Sequence, residues 1–281
     1  MIGQIGKYKM FAPLFATDFS DIVVCKDPDL DVHVTVKVFN VKGERGADKD
    51  AADEWRQRFL HEAKVMARMD HPNLVPIREY AILDDGTPYI VMPYYPATLK
   101  YEIGHDSMDP ERLKKLPPNR RPHALQPDRA LTIWRQLLEG LSALHGFGLV
   151  HRDVKPGNVF LTAKQGGNAK LGDFGMVKVP GLEDGDPGRW IGTPNYMSPE
   201  QKADATSVDP RTDIYSVGVF AYRMLIGRLP QDGPATLAAA KLPIPPELDS
   251  LIEACRAPHP DDRPENAAAV LKILDAMAPL N

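Results

Sequence analysis

An α+β chain of two lobes, the first small and β-rich, the second larger and α-helical, is predicted by three features of the sequence. The first hundred residues carry strand patterns around a single helical stretch. From Asp128 onward the apolar residues recur instead at helical spacing. The change falls near residues 92–99, and 281 residues are enough to bury a large core.

Each element follows from its residues. Residues 32–40 (VHVTVKVFN) alternate apolar and polar positions, as a half-buried strand does. Residues 77–83 and 89–92 flank Asp84, Asp85 and Gly86, a hairpin turn. Between these strands, Trp55, Phe59, Ala63 and Met66 mark a helix over about 52–69. Glu62 lies on the same inward face, where a carboxylate is costly unless paired. Lys37, flanked by apolar residues in its strand, is the natural partner. In the second half Leu131, Trp134, Leu138, Leu141 and Leu144 give one face of a helix ending near Gly146. Residues 214–226 are apolar nearly all round, which predicts a helix buried in the middle of its lobe, and 267–277 form a last amphipathic helix. Ligand sites favour the junction between such lobes.

A formal net charge of −4 excludes a general attraction to nucleic acid or to anionic lipid. No stretch approaches the roughly 18 apolar residues of a membrane span, and the start MIGQIGKYKM lacks the apolar core of a secretory signal. Cys25 and Cys255 are too few for a metal cluster or disulfide framework and read as buried thiols in a reducing, cytoplasmic setting.

The chemistry is concentrated in HRDVKPGN at 151–158 and DFG at 173–175. Phosphoryl transfer asks a protein for positioning and charge neutralisation more than for covalent chemistry. Asp153 can orient a hydroxyl and accept its proton, Lys155 can neutralise the moving group, and Asn158 and Asp173 are hard oxygen ligands suited to Mg²⁺. Any one of them alone reads as a polar loop residue; the set in this order does not.

With these motifs the chain resembles the eukaryotic-type serine/threonine protein kinases, most of all their bacterial members, over residues 7–281. The resemblance implies a bilobal kinase fold with a first lobe over about 7–92, a hinge at 93–99 and a second lobe over 100–281. It implies transfer of the γ-phosphoryl group of ATP, with Mg²⁺ or Mn²⁺, to protein Ser/Thr hydroxyls, autophosphorylation included. Lys37 in VTVKVF would contact the α- and β-phosphates and Glu62 would pair with it in the active state. Met92 would be the gatekeeper, with Pro93 and Tyr95 as backbone contacts to adenine, Ile22 and Thr35 as its roof and Phe160 as its floor. Pro93 keeps the carbonyl needed there and lacks only the N–H. His151 would pack on Phe174, Glu200 would pair with Arg263, Asp213 would anchor the catalytic loop and Thr193 would hydrogen-bond near Asp153. Lys155 and GTPNYMSPE at 192–200 resemble the serine/threonine branch and argue against a small-molecule phosphotransferase. Bacterial relatives also imply a cytoplasmic domain that can belong to a longer, membrane-tethered protein.

Three stretches depart from the family pattern. The family's three loop glycines fall on Phe15, Thr17 and Ser20, with Ala16 between, and glycine is normally required there for close approach to phosphate. Asp18 and Asp21 add negative charge. Gly3 and Gly6 precede the first strand and do not replace the missing ones. Two readings follow: a working kinase that holds nucleotide more weakly, or a pseudokinase acting as a nucleotide-binding or allosteric module. Second, residues 176–191 contain no hydroxyl side chain but carry Glu183, Asp184 and Asp186. These acids are either a solvated loop or a phosphate substitute for Arg152. Third, RLKKLPPNRR at 112–121 holds Arg112, Lys114, Lys115, Arg120 and Arg121 without an acid. It reads as a solvated insertion or a docking surface for an acidic partner; nucleic acid is disfavoured by the absence of aromatics.

Overall fold

The computed structural model describes residues 3–17, 19–40, 49–106, 110–179, 194–233 and 236–277. The chain separates into two compact units, 1–95 and 96–281.

The first unit is a six-stranded antiparallel sheet in the order β1-β2-β3-β4-β6-β5 with one helix. Its strands are β1 (Gln4–Ile5), β2 (Tyr8–Ala16), β3 (Ser20–Lys26), β4 (His33–Phe39), β5 (Glu79–Ile82) and β6 (Pro88–Pro93). Helix α1 spans Lys49–Arg68. The sheet therefore begins before Lys7. Gly6 does not precede the first strand; it makes the β1–β2 turn at φ +54°, where a side chain would meet the Tyr89 hydroxyl. Register sorts the sheet residues between two faces, because directly opposed residues point the same way. Val23, Cys25, Val34, Val36, Tyr89 and Val91 build a core on one face with Ile5 and Tyr8. Ile22, Thr35, Lys37 and Met92 are cross-strand neighbours on the other. The β5–β6 turn closes by Leu83 N–H to Thr87 O at 2.8 Å, with Gly86 at φ +86°.

The second unit carries a small sheet, β7 (Ala97–Thr98), β8 (Val159–Leu161) and β9 (Ala169–Leu171), which sequence periodicity did not mark. Its helices are α2 (Lys100–Ile103), α3 (Pro110–Lys115), α4 (Pro127–Gly146), α5 (Pro199–Ala203), α6 (Arg211–Ile226), α7 (Pro246–Cys255) and α8 (Ala267–Ala276). Proline opens α3, α4, α5 and α7, a position that needs no N–H donor. The buried stripe of α4 is Ala130, Ile133, Trp134, Leu137, Leu138, Leu141 and Leu144; Leu131 sits at its edge, only half-buried. Trp134 Nε1 donates to Val217 O of α6 at 3.0 Å. Helix α6 is buried on nearly every side, as its all-round apolarity predicted. Among the described residues no helix is long and apolar enough to cross a membrane. Cys25 and Cys255 are both buried and unpaired by disulfide, and burial pushes their thiols up to about 11 and about 12.

Candidate active site

In the first unit, β4 and α1 bring together the two residues that their apolar surroundings had paired. Lys37 Nζ donates to Glu62 Oε1 at 2.8 Å and to Oε2 at 2.7 Å. Glu62 is buried on the stripe Trp55, Phe59, Glu62 and Met66, so the ion pair answers its desolvation.

Ile22 and Thr35 are buried, Met92 and Pro93 half-buried, and Pro93 ends β6 opposite Val34. Tyr95 is half-buried and its hydroxyl is pushed up to about 12 by burial. At the β2–β3 hairpin, Phe15, Ala16 and Thr17 are exposed and Ser20 is buried. Thr17 takes over the turn that glycine would otherwise make. Its Oγ1 accepts from Ser20 N at 2.9 Å and from Phe19 N at 3.2 Å, and its own N–H donates to Ser20 O at 2.8 Å. Two N–H groups of the turn are thus satisfied by the protein itself. Asp21 accepts from Asn40 Nδ2 at 2.6 Å, while Asp18 lies outside the described residues.

In the second unit, the 151–158 loop is fixed by a buried carboxylate. Asp213 accepts from His151 N at 2.8 Å, Arg152 N at 2.9 Å and His145 Nε2 at 3.0 Å. Burial is the largest influence on Asp213 and opposes ionisation, but these donors outweigh it and its pKa is lowered. The clamp holds Arg152 at φ +64°, a left-handed conformation that a non-glycine residue rarely adopts. The Arg152 guanidinium is buried, donating to Met176 O at 2.6 Å and Ala205 O at 3.0 Å. His151 accepts from Asp153 N at Nδ1 (3.3 Å), which leaves Nε2 as the protonated nitrogen facing Gly172 O at 3.2 Å. Its ring meets Phe174 edge-on with centroids 5.6 Å apart. The histidine is therefore engaged in packing, with neither nitrogen left over for proton transfer.

Asp153, Lys155 and Asn158 converge. Lys155 Nζ lies 2.6 Å from Asp153 Oδ2, and Asn158 Nδ2 donates to the same oxygen and to Asp153 O, both at 2.9 Å. The β8–β9 pairing sets Asn158 opposite Gly172, whose N–H donates to Asn158 O at 2.9 Å, one residue from Asp173. Asp173 is exposed and held at φ +63°. Phe160 follows in β8, half-buried. With its NH₂ engaged, the Asn158 side chain presents its carbonyl oxygen, and Asp173 supplies a carboxylate: a hard donor set that fits Mg²⁺ or Mn²⁺. Among the described residues no group of three or more His, Cys, Asp or Glu could hold a metal ion by itself.

Further from this loop, Arg263 donates to Glu200 Oε1 at 2.7 Å and Oε2 at 2.9 Å. Burial works against the Glu200 carboxylate most strongly, yet Arg263, the helix N-terminus and Ser198 together lower it to about 2. A second buried network was not foreseen. Arg223, fully buried in α6, donates to Asp106 Oδ1 at 2.6 Å, and Tyr196 Oη to Asp106 Oδ2 at 2.5 Å. Arg121 turns back on its own segment, donating to Lys114 O and Leu116 O, while Lys114 pairs with Glu111 at 2.7 Å. Glu183, Asp184, Asp186 and Thr193 lie outside the described residues, as does the Arg112 side chain.

Residues 16–274 match the family model described as protein kinase domain. The chain belongs to the protein kinase domain family. This kinase domain is 33% identical over 234 residues to serine/threonine-protein kinase pkn2 of Myxococcus xanthus, covering 82% of the chain and 25% of the relative. It is 31% identical to PksC of Streptomyces coelicolor (94% and 48%) and 32% identical to PknL of Mycobacterium tuberculosis (97% and 66%). The chain thus spans between a quarter and two thirds of the length of these relatives. The crystal structure of the Mycobacterium tuberculosis PknI kinase domain superposes with a TM-score of 0.65 at 25% identity, covering 99% of this chain and 98% of that one. A two-part chain, a curled sheet followed by helices, is what a bilobal kinase fold requires.

Proposed function

We propose that this chain is the catalytic domain of an ATP-dependent serine/threonine protein kinase acting on protein hydroxyls, its own included. The observation that carries the reading is the convergence of Lys155 and Asn158 on Asp153, which orients its carboxylate beside the cation that would neutralise a moving phosphoryl group. In the transfer, the acceptor oxygen bonds the γ-phosphorus, the bond to the β-phosphate oxygen breaks, ADP leaves and the hydroxyl proton passes to Asp153. Lys155 balances the charge on the moving group. Lys37, fixed by Glu62, contacts the α- and β-phosphates. Phe15, Ala16, Thr17, Ser20, Ile22, Thr35, Met92, Pro93, Tyr95 and Phe160 take the remaining nucleotide contacts. Asn158 and Asp173 hold Mg²⁺, or Mn²⁺ in its place, whose charge offsets that of the phosphates when bound.

Lys115 and Arg120, exposed in the 112–121 segment, are the cations an acidic docking partner would meet, since Arg121 is engaged by its own backbone. A cytoplasmic placement, free or within a longer membrane-tethered protein, supplies both ATP and reduced thiols.

The test is transfer of radiolabel from ATP to a generic protein acceptor with Mg²⁺ or Mn²⁺. Asp153→Asn should lower turnover by about 10²- to 10⁴-fold, the usual reach of a positioned base. Lys37→Met should abolish transfer and leave a folded protein. Full activity in either variant overturns the assignment of that residue. A nucleotide-dependent thermal shift with no transfer would make the chain a non-catalytic nucleotide-binding module instead.

A further inference from the structure

The β2–β3 hairpin is held from outside as well as by Thr17. The Phe19 ring at its tip stacks on Trp55 of α1, with centroids 3.4 Å apart and planes 16° from parallel. Phe19 O accepts from Asn40 N at 2.9 Å, which ties the same tip to the end of β4. Trp55 is buried, and the Arg58 guanidinium, ion-paired to Glu54, lies 5.4 Å from its ring centre.

Trp55 shares its helix face with Phe59 and Glu62, four and seven residues on, so the stack and the Glu62 carboxylate are about 10 Å apart along one rigid rod. Phe59 meets Phe39 of β4 edge-on at 5.7 Å and lies 6.0 Å from Lys37 Nζ. A packed line therefore runs from the hairpin tip through Trp55 and Phe59 to the Lys37–Glu62 pair.

We infer that Phe19 and Trp55 are positioning residues, and that their stack moors the glycine-free hairpin to the helix carrying Glu62 so that both are set together for the nucleotide. The inference rests on the kinase reading. A glycine loop can be ordered by the phosphates it drapes over, because its backbone is supple and its N–H groups are open. Here the Phe19 and Ser20 N–H groups are bonded to Thr17 Oγ1, so phosphate has less with which to draw the hairpin down. Its place must be fixed beforehand by protein contacts, and a loop fixed in advance lowers the ordering cost of binding. The stack reaches α1, and through it the hairpin and the ion pair respond to one nucleotide together.

The test compares KM for ATP and kcat in the wild type, Phe19→Ala, Phe19→Tyr, Trp55→Leu and the double variant Phe19→Ala/Trp55→Leu. Phe19→Ala and Trp55→Leu should each raise KM about two- to tenfold, the fold-change that an aromatic pair carries. The double variant should be no worse than the worse single one, and Phe19→Tyr should match the wild type. In Phe19→Ala, tryptophan emission should also shift to the red as Trp55 loses its cover. An unchanged KM in Phe19→Ala, or effects that multiply in the double variant, overturns the inference. Should Trp55→Leu fail to fold, Phe19→Ala against Phe19→Tyr decides alone. If the wild type binds ATP without transferring phosphate, the kinase reading fails and the same comparison is made on Kd. Absence of both binding and transfer defeats both.

Discussion

The 151–158 loop and the β2–β3 hairpin are each held by one side chain that captures two successive backbone N–H groups, Asp213 with its two carboxylate oxygens and Thr17 with its single hydroxyl, but the two holders could hardly differ more. Asp213 is a charged, fully buried group reaching His151 and Arg152 from more than sixty residues away in α6. Thr17 is a neutral, exposed hydroxyl three residues from the furthest donor it holds. A buried charge with no water to replace it makes the catalytic loop inseparable from the core of its unit. An exposed hydroxyl in a turn competes with solvent, so the hairpin depends in addition on the Phe19–Trp55 stack and on the Asn40 N–H bonded to Phe19 O. Asp153, Lys155 and Asn158 thus follow a backbone anchored by a buried charge, and the hairpin one anchored by a surface hydroxyl and a ring stack.

The sharpest way to break this contrast is Asp213→Ala. It leaves two buried N–H groups without an acceptor and removes the partner of His145, for a loss on the order of 3 to 5 kcal/mol. Urea unfolding should reveal it, together with loss of transfer activity; stability within about 1 kcal/mol of wild type would mean that the left-handed Arg152 backbone is held by something else.

A smaller effect is expected from acid. The Glu200 carboxylate, near 4.5 when unfolded and about 2 when folded, ionises more readily in the folded state. Its contribution is therefore complete above about pH 5 and is lost as pH falls toward 2, on the order of 2 to 3 kcal/mol in all. Glu200→Gln should be less stable at pH 7 and show a flatter fall between pH 5 and pH 2. Parallel pH curves for the two proteins would count against the pairing with Arg263 as the source.

The smallest effect belongs to Thr17→Val, which keeps the shape and removes the hydroxyl. Global stability should move by no more than about 1 kcal/mol, while the amides of Phe19 and Ser20 exchange hydrogen faster. Slowed or unchanged exchange there would show that Thr17 is not what closes the turn.

Much of this was legible in the sequence, for reasons that differ by residue. Lys37 and Glu62 betrayed each other because two charges on apolar faces, one in a strand and one in a helix, need a partner. Helix α6 announced its burial by lacking a polar side. The pairing of Glu200 with Arg263 and the anchor role of Asp213 could be expected only through family resemblance, since nothing local links residues sixty apart. Asp106 was silent: an aspartate after a short helix carries no sign of Arg223, 117 residues later, or of Tyr196. Strands β1 and β7, two residues each, are too short for any period to register. Thr17 could have been read from its chemistry, because a threonine three residues before a serine favours a hydroxyl-closed turn.

The two thiols offer a use that their burial creates. Cys25 lies in the sheet of the first unit and Cys255 ends α7 in the second, and both are held well above neutrality in their proton affinity. Only thiolate is alkylated at useful speed, so neither reacts until its surroundings open. Each is a native clock for one half of the chain. Mass spectrometry of a timed alkylation would date the opening of the two halves separately, with no engineered cysteine.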